Sequence, residues 1–171
     1  MAEQTRWHRR VLDRTWWEKR VLDGYDRNRD AAAFDVPMAG EIPADLECLR
    51  GHKYAVVVTF RRDGTPVPSP MWFGLHDGKV YMRTGAESWK VKRIRHTPQV
   101  VIAPSDRRGR PVGPGIPATA RILPPAEHPR AIAARIAAYG LGRWIYDRTV
   151  AKVYSEAAYL ELAVRHPEAG T

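Results

Sequence analysis

Residues 53–84, "KYAVVVTFRRDGTPVPSPMWFGLHDGKVYMRT", decide the fold class because apolar, β-branched runs alternate there with tight-turn signals. The turn signals are Asp63-Gly64 and Asp77-Gly78, and an Asp-Gly pair between apolar runs is typical of a β-hairpin. The middle run contains three prolines, which cannot donate ladder hydrogen bonds, so part of it must be an edge or a bulge. The stretch predicts a three-strand antiparallel meander with strands Lys53–Phe60, Thr65–Leu75 and Lys79–Thr84.

Downstream of the meander, three more runs predict strands and two segments predict helices. Ser88 is a suitable N-cap residue for the first helix, and Pro98 is expected to end that helix. The second helix is Ala-rich and is expected to end at Gly140. Six short strands with two or three helices are typical of a small antiparallel barrel, so we predict an α+β, mainly β fold. The remaining predicted elements are the strands Gln99–Pro104, Ile116–Leu123 and Ala157–Val164, and the helix Ala126–Tyr139.

The composition of the chain changes near residue 40. Residues 1–40 are basic and rich in Trp, and their apolar positions predict one or two amphipathic helices. We interpret this extension as an arm that packs on the domain or on a second subunit, with a membrane-surface or RNA-binding helix as the alternative. Residues 41–171 then form the barrel domain.

The chain has a formal net charge of +9 and a sequence pI near 10.0. Such a charge attracts nucleic acid, anionic headgroups or acidic small molecules without choosing among them. The single cysteine, Cys48, excludes an internal disulfide, and we expect it to be a small buried apolar residue. No apolar run approaches the roughly 20 residues of a membrane span, and no signal peptide is evident, so we expect a cytoplasmic protein.

The segment "TGAESWKVKRIRHTPQV", residues 84–100, is the best candidate for an anion site. The first-turn amides of a helix are unpaired and lie at the positive end of its dipole. Thr84 and Ser88 can donate hydroxyl hydrogen bonds there, and Lys90 lies in the first turn as a point charge. Lys92, Arg93 and Arg95 are expected on other faces of the helix, with at most one or two reaching the same anion.

Patterns of other chemistries are missing from the sequence. It contains no complete P-loop, no GxGxxG pattern and no GxSxG elbow. Its six histidines are scattered, without the i, i+4 spacing of metal ligands, so no metal site is predicted. If the protein is an enzyme, the reactive atom is therefore expected to belong to a bound cofactor.

Residues 43–164 resemble the flavin and deazaflavin split-barrel superfamily typified by pyridoxamine 5′-phosphate oxidase. The segments "TFRRDGTPVPSPMW", "TGAESWKVKRIRHTPQV" and "YGLG" are most similar to the subfamily that depends on coenzyme F420, an 8-hydroxy-5-deazaflavin. The resemblance implies a six-stranded split barrel in a homodimer, with two cofactor sites at the subunit interface. It implies that the cofactor phosphate is held by Arg83, Thr84, Ser88, Trp89 and Lys90, and that the ring lies against Ser69, Pro70, Met71 and Trp72.

One departure from the oxidases of the superfamily bears on the cofactor. Those oxidases tend to carry arginine at the positions of Pro68 and Trp89, so the loss of two FMN-clamping arginines counts against FMN. The resemblance at Ser88-Trp89-Lys90 instead favours F420. The acidic oligoglutamate tail of F420 would suit a cationic mouth, for which Arg107, Arg108 and Arg110 are the candidates.

Three functions remain open at this stage. The first is a reductase that transfers a hydride from the C5 of reduced F420 to a small organic substrate, with Tyr81, Tyr139 or a bound water as the candidate proton donor. The second keeps the fold but holds FMN or haem. The third is a non-enzymatic module for RNA or an acidic partner, which is disfavoured because the sequence contains no RNA-binding motif, so no nucleic-acid partner is expected.

Overall fold

A closed barrel of six antiparallel strands forms the body of the protein, in a computed structural model that describes residues 29–150 and 156–166, apart from the side chains of 141–150. Around the barrel the strands follow the order β1-β2-β3-β6-β5-β4. This confirms the predicted mainly β barrel, whereas the helices predicted within residues 1–28 lie outside the described residues. The strands are β1 (Tyr54–Phe60), β2 (Pro66–His76), β3 (Lys79–Gly85), β4 (Gln99–Ser105), β5 (Ile116–Ile122) and β6 (Ala157–Val164).

The interior of the barrel is filled by every second residue of each strand, because successive side chains of a strand point to opposite faces. On β6, for example, Leu160 and Leu162 are fully buried in the core while Glu161 lies on the outer face. Removal of this apolar surface from water is the main force that closes the barrel. The largest core side chains include Val57, Met71, Phe73, Val80, Met82, Ile102, Leu160 and Leu162.

The split in the barrel lies along β2. This strand pairs with β1 over Pro66–Trp72, but with β3 only over Phe73–His76. Within the described part of the chain, no strand therefore pairs with the second edge of Pro66–Trp72. The three prolines of β2 all fall in this half-paired section, where a residue without an N–H costs least. The prolines thus mark where the barrel opens.

In the part of the chain that the structure describes, two α-helices flank the barrel. Helix α1 (Trp89–His96) follows β3, has Ser88 at its N-cap and buries Val91 and Ile94. Helix α2 (His128–Val150) is interrupted at Gly140, whose φ of 73° is a left-handed conformation that favours glycine. The predicted end of the helix at Gly140 is therefore a break, after which a second helical segment follows. Short 3₁₀ turns occur at Ala31–Phe34, Glu47–Leu49 and Pro125–Glu127.

Residues 29–39, which we call the strap, pack against the outside of the barrel. Ala33 is fully buried against Val56 and Ala103. The Asp30 amide donates to the Arg108 carbonyl at 2.9 Å, which ties the strap to the β4–β5 loop. The compositional change near residue 40 therefore comes after the point at which the chain already contacts the barrel.

Cys48 lies on the surface, so the prediction that it is buried was wrong. It follows the buried Leu46 and precedes the buried Leu49 in a short 3₁₀ turn, and only those two leucines reach the core. Across residues 29–150 and 156–166, no helix has the length and apolar character needed to cross a membrane. The same ranges contain no group of three His, Cys, Asp or Glu side chains arranged to hold a metal ion.

A buried carboxylate, Glu161, organises the outer face of β3, β5 and β6. It accepts hydrogen bonds from the Tyr81 hydroxyl at 2.9 Å and from Arg121 Nη2 at 3.0 Å. Lys79 Nζ lies 3.4 Å away, and Arg121 also forms a two-point pair with Glu127 at 2.7 and 2.8 Å. Burial alone would raise the pKa of Glu161, but these donors and cations outweigh it and the net pKa lies below its ordinary value.

The pH dependence of stability should reveal this carboxylate. Because the folded pKa of Glu161 is depressed, its contribution is present above the unfolded pKa and is lost as pH falls through the folded pKa. We expect Glu161→Gln to lower the unfolding free energy at pH 7 by about 1–2 kcal/mol. Because the variant has no carboxylate to protonate at this position, its unfolding free energy should fall less than that of wild type as the pH drops below 4.5. Urea unfolding from pH 7 to pH 3 measures this. The exposed Glu41→Gln is the control, and parallel wild-type and Glu161→Gln curves would contradict the assignment.

Candidate functional site

A groove of about 1490 Å³ opens where β2 is half-paired, between that strand and α1. The structure brings all nine residues predicted to bind the cofactor to its wall. Their assignment to a cofactor stays a prediction, but residues from two strands and a helix now line one space. These residues are Ser69, Pro70, Met71, Trp72, Arg83, Thr84, Ser88, Trp89 and Lys90.

The N-terminus of α1 forms one end of this site. Ser88 adopts the extended conformation of an N-cap, with φ −64° and ψ 147°, but its side chain makes no capping hydrogen bond. Its Oγ lies 3.4 Å from Thr84 Oγ1, so the two hydroxyls sit together at the helix start. Lys90 follows in the first turn and also lines the groove. Hydroxyls, a lysine and the positive end of the helix dipole form a suitable environment for a phosphate.

One face of α1 continues the groove away from that end. Trp89, Lys92, Arg93 and His96 all line it, and their i, i+3, i+4, i+7 spacing places them on the same side of the helix. Of the three cations expected on faces of the helix other than that of Lys90, Lys92 and Arg93 therefore line the same groove, and their contact with the anion stays a prediction. Arg95 is exposed and does not line the groove.

Two contacts hold this helical face in place. Arg93 Nε donates to Thr59 Oγ1 at 2.7 Å, and Thr59 is a buried residue of β1. Lys92 Nζ lies 5.1 Å from the centre of the Trp89 ring, within the range of a cation–π interaction. The arginine is thereby anchored to the barrel, while Trp89 remains 74% exposed.

The β2 wall presents different chemistry on its two faces. Ser69 and Met71 are each 7% exposed and share the inward face of the strand, whereas Pro70 and Trp72 alternate to the outer face. The Trp72 ring lies between Tyr54, 5.7 Å away, and Tyr139, 6.1 Å away, measured between ring centres. A cluster of aromatic rings, tilted by 43° and 41° to one another, thus borders the cationic groove.

The two candidate proton donors do not line the groove. The Tyr81 hydroxyl donates to Glu161 at 2.9 Å under α2, and burial, then the hydrogen bond to Glu161, raises its pKa. The Tyr139 hydroxyl accepts from the Phe73 amide at 3.1 Å and donates to the Lys53 carbonyl. Tyr139 therefore ties β1 to β2 beside Trp72, and the structure places neither hydroxyl where a substrate in the groove could take its proton.

The groove has a strong excess of positive charge. Ten of its described lining residues are Lys or Arg, and one, Glu87, is acidic. Arg107 and Arg108 belong to it, as the resemblance suggested, but Arg110 lines a smaller pocket of about 550 Å³ on the other side of the loop. The basic residues that sequence reasoning did not assign to the site are Arg29, Arg61, Arg62, Lys92, Arg93 and Arg135.

Comparison with known proteins identifies relatives of the fold. A family model described as pyridoxamine 5′-phosphate oxidase matches residues 43–162. No curated protein matches the chain. A conserved hypothetical protein of Mycobacterium tuberculosis is similar in structure, with 20% identity, a TM-score of 0.52, and coverage of 81% of this chain and 86% of that one.

Two further solved structures share the fold and differ in what they bind. HutZ, a haem storage protein of Vibrio cholerae, has 13% identity and a TM-score of 0.53, with coverage of 72% of this chain and 92% of its own. An FAD-binding protein of Mesorhizobium loti has 13% identity and a TM-score of 0.51, with coverage of 69% and 85%. At these identities the likeness concerns the fold alone, so the choice of ligand has to come from the residues of the groove.

Proposed function

The chain belongs to the pyridoxamine 5′-phosphate oxidase family, and on that premise we propose that it is an oxidoreductase that uses coenzyme F420. Reduced F420 would supply a hydride from its C5 to an electron-poor double bond of a small organic substrate, with a proton from water completing the reduction. The observation that carries this proposal is the shape of the cationic surface of the groove, which extends well beyond one phosphate site.

The α1 end of the groove suits a phosphodiester. Thr84, Ser88 and Lys90 lie at a helix start whose N-cap residue makes no side-chain capping hydrogen bond, and Arg83 borders them on β3. The half-paired edge Ser69–Trp72 lies across the groove and would support the ring. These residues would hold and orient the cofactor and exclude water from one side of it. Trp89 and Pro68 stand where the FMN oxidases tend to carry arginine, which disfavours FMN.

A second group of cations, which we call the cationic track, leads away from the phosphate end. It begins on the face of α1, a helix of eight residues that is about 12 Å long at a rise of 1.5 Å per residue, and it reaches the β1–β2 hairpin. FMN ends in one phosphate and would leave these cations unused, whereas the oligoglutamate tail of F420 carries a carboxylate on every residue. The track consists of the cations Lys92, Arg93, Arg61 and Arg62, and His96 lines the groove beside them.

A second subunit would complete the site. Trp89 is 74% exposed at the edge of the groove, and an exposed tryptophan beside an open cavity is typical of a surface that a partner covers. We therefore propose a homodimer with the cofactor at its interface. A sedimentation experiment that finds only monomer, with and without F420, would argue against this arrangement.

The binding of F420 tests the proposed function directly. We expect fluorescence polarisation to show micromolar or tighter binding of F420, while FMN and haem bind more weakly. The deazaflavin riboside, which lacks both phosphate and tail, should bind about a hundredfold more weakly than F420, because each lost charged contact costs about 1.5–3 kcal/mol. If FMN or haem binds more tightly than F420, the one that binds most tightly is favoured as the cofactor instead.

Two matched pairs of arginines test where the tail lies. Arg61 and Arg62 are exposed on the hairpin, and Arg107 and Arg108 are exposed on the β4–β5 loop. We expect the double change Arg61→Gln and Arg62→Gln to weaken F420 binding about tenfold and to reduce its salt dependence. The change of Arg107 and Arg108 to Gln should leave binding nearly unaltered. The reverse result would place the tail on the loop and remove the track from the proposal.

A further inference from the structure

The part of the groove beside α2 differs from the α1 side in having an aromatic floor. Tyr54 and Trp72 face each other across β1 and β2, as register partners on the outer face of the barrel, with ring centres 5.7 Å apart. The Tyr139 ring lies 6.1 Å from the Trp72 ring, and its hydroxyl is already hydrogen-bonded to the Lys53 carbonyl just before β1 and to the Phe73 amide of β2. The rings of Tyr54 and Trp72 are tilted by 43° to one another, so the floor offers aromatic ring faces against which a planar group can pack.

Arg135 stands at the side of this floor. It is 8% exposed, lines the groove, and lies one helical turn before Tyr139 on the same face of α2. Helix α2 approaches β2 very closely here, because a Cβ on Gly74 would lie 2.4 Å from the Ala134 carbonyl carbon and 2.7 Å from the Arg135 nitrogen. This close packing fixes the backbone at Arg135 beside the groove, so less backbone reordering is needed for its side chain to bind an anion.

The opposite flank of the floor is also basic. Arg107 and Arg108 lie in the β4–β5 loop, whose Gly109 packs against Pro70, with its ideal Cβ position 3.4 Å from Pro70 Cδ. The strap holds the same loop through the hydrogen bond from Asp30 to Arg108 at 2.9 Å. The aromatic floor therefore lies between a mostly buried arginine on one side and loop arginines on the other.

We propose that this α2 side is the substrate site, that it takes a flat organic acid, and that Arg135 binds its carboxylate. The assignment as a substrate rests on the proposed function, since it places the acid at the end of the ring-binding segment Ser69–Trp72, where Trp72 would contact both the cofactor ring and the acid. Arginine suits the role because its planar fork of donors matches a carboxylate with two parallel hydrogen bonds. The rings of Tyr54 and Trp72 would take the flat part of the molecule.

A pair of probes of the same shape tests the proposal. Calorimetric titration of the full chain with 2-naphthoate and with neutral 2-naphthamide should show about tenfold tighter binding of the acid. Arg135→Gln should remove this preference without weakening the amide, and Arg135→Lys should keep part of it. Arg95→Gln is the control, since Arg95 is exposed and does not line the groove. Equal binding of the two probes to wild type, or an unchanged preference in Arg135→Gln, would overturn the proposal.

The design separates this site from the cofactor site. We expect Arg135→Gln to bind F420 as wild type does, because the phosphate and the track lie on the α1 side. If wild type prefers naphthoate but does not bind F420, the proposed function fails and the acid site stands. If F420 binds but the two naphthalene probes bind alike, the acid site fails alone. If the melting temperature shows that Arg135→Gln is unfolded, Arg135→Lys takes its place in the test. Binding of naphthoate by Arg135→Lys with the full affinity and preference of wild type would count against a two-point contact between Arg135 and the carboxylate.

Discussion

Replacing Gly74 by alanine is expected to lower the free energy of unfolding by about 3 kcal/mol, at the upper end of the cost of overpacking a core. The added Cβ would lie 2.4 Å from both the carbonyl carbon and the oxygen of Ala134. These are backbone atoms of α2, so no side-chain rotation can relieve the contact. Alanine is intrinsically better than glycine in a strand by roughly 0.5–1 kcal/mol, which is too little to offset the clash. Urea unfolding measures the difference.

The control for this change is Gly40→Ala, because nothing lies within 4 Å of the Cβ position there. We expect its unfolding curve to match wild type to within about 0.5 kcal/mol. The damage in Gly74→Ala should also be local in origin, so the near-ultraviolet signal of the Tyr54, Trp72 and Tyr139 cluster should change before the barrel unfolds. A Gly74→Ala protein of wild-type stability would show that α2 does not lie this close to β2.

Replacing Lys90 by alanine is expected to weaken F420 binding by about tenfold or more, because a hydrogen bond to a charged group contributes about 1.5–3 kcal/mol. Lys90 is half-buried in the first turn of α1 and lines the groove. It does not belong to the hydrophobic core, so the melting temperature should change little. Fluorescence polarisation of F420 measures the affinity.

Two comparisons make the Lys90 result specific. Arg95→Ala removes the same charge from the same helix on an exposed face outside the groove, and it should bind F420 as wild type does. Binding of the deazaflavin riboside, which has no phosphate, should be the same in Lys90→Ala and wild type. If Lys90→Ala and Arg95→Ala weaken F420 equally, the effect is one of net charge and the phosphate lies elsewhere.

The elements of the barrel could be predicted from local sequence because the signals are short-range. Asp63-Gly64 and Asp77-Gly78 mark turns by their own backbone preferences, and both separate strands in the structure. The prolines of β2 predicted an incompletely paired strand, since the missing N–H is a property of the residue itself. The helix start at Ser88 and the break at Gly140 were equally local features.

The site was predicted only in part, and the misses have a common cause. The grouping of nine residues around the groove was expected from a resemblance, and the structure brings all nine to the lining of one groove. Arg135 is far from them in sequence, and no local pattern distinguishes it from other arginines on the Ala-rich helix. Tyr81 and Tyr139 carry suitable hydroxyls, but the structure gives those hydroxyls to Glu161 and to backbone groups.

Short-range sequence was thus sufficient for the strands, the turns, the half-open β2 and a cationic helix start, because each depends on the preferences of neighbouring residues. Only the folded chain decided which cations share the groove and which tyrosines do not. That choice depends on how α2 crosses β2 at Gly74 and how the strap holds the β4–β5 loop. Both contacts depend on packing between elements that are distant in the chain, so no local sequence pattern predicts either of them.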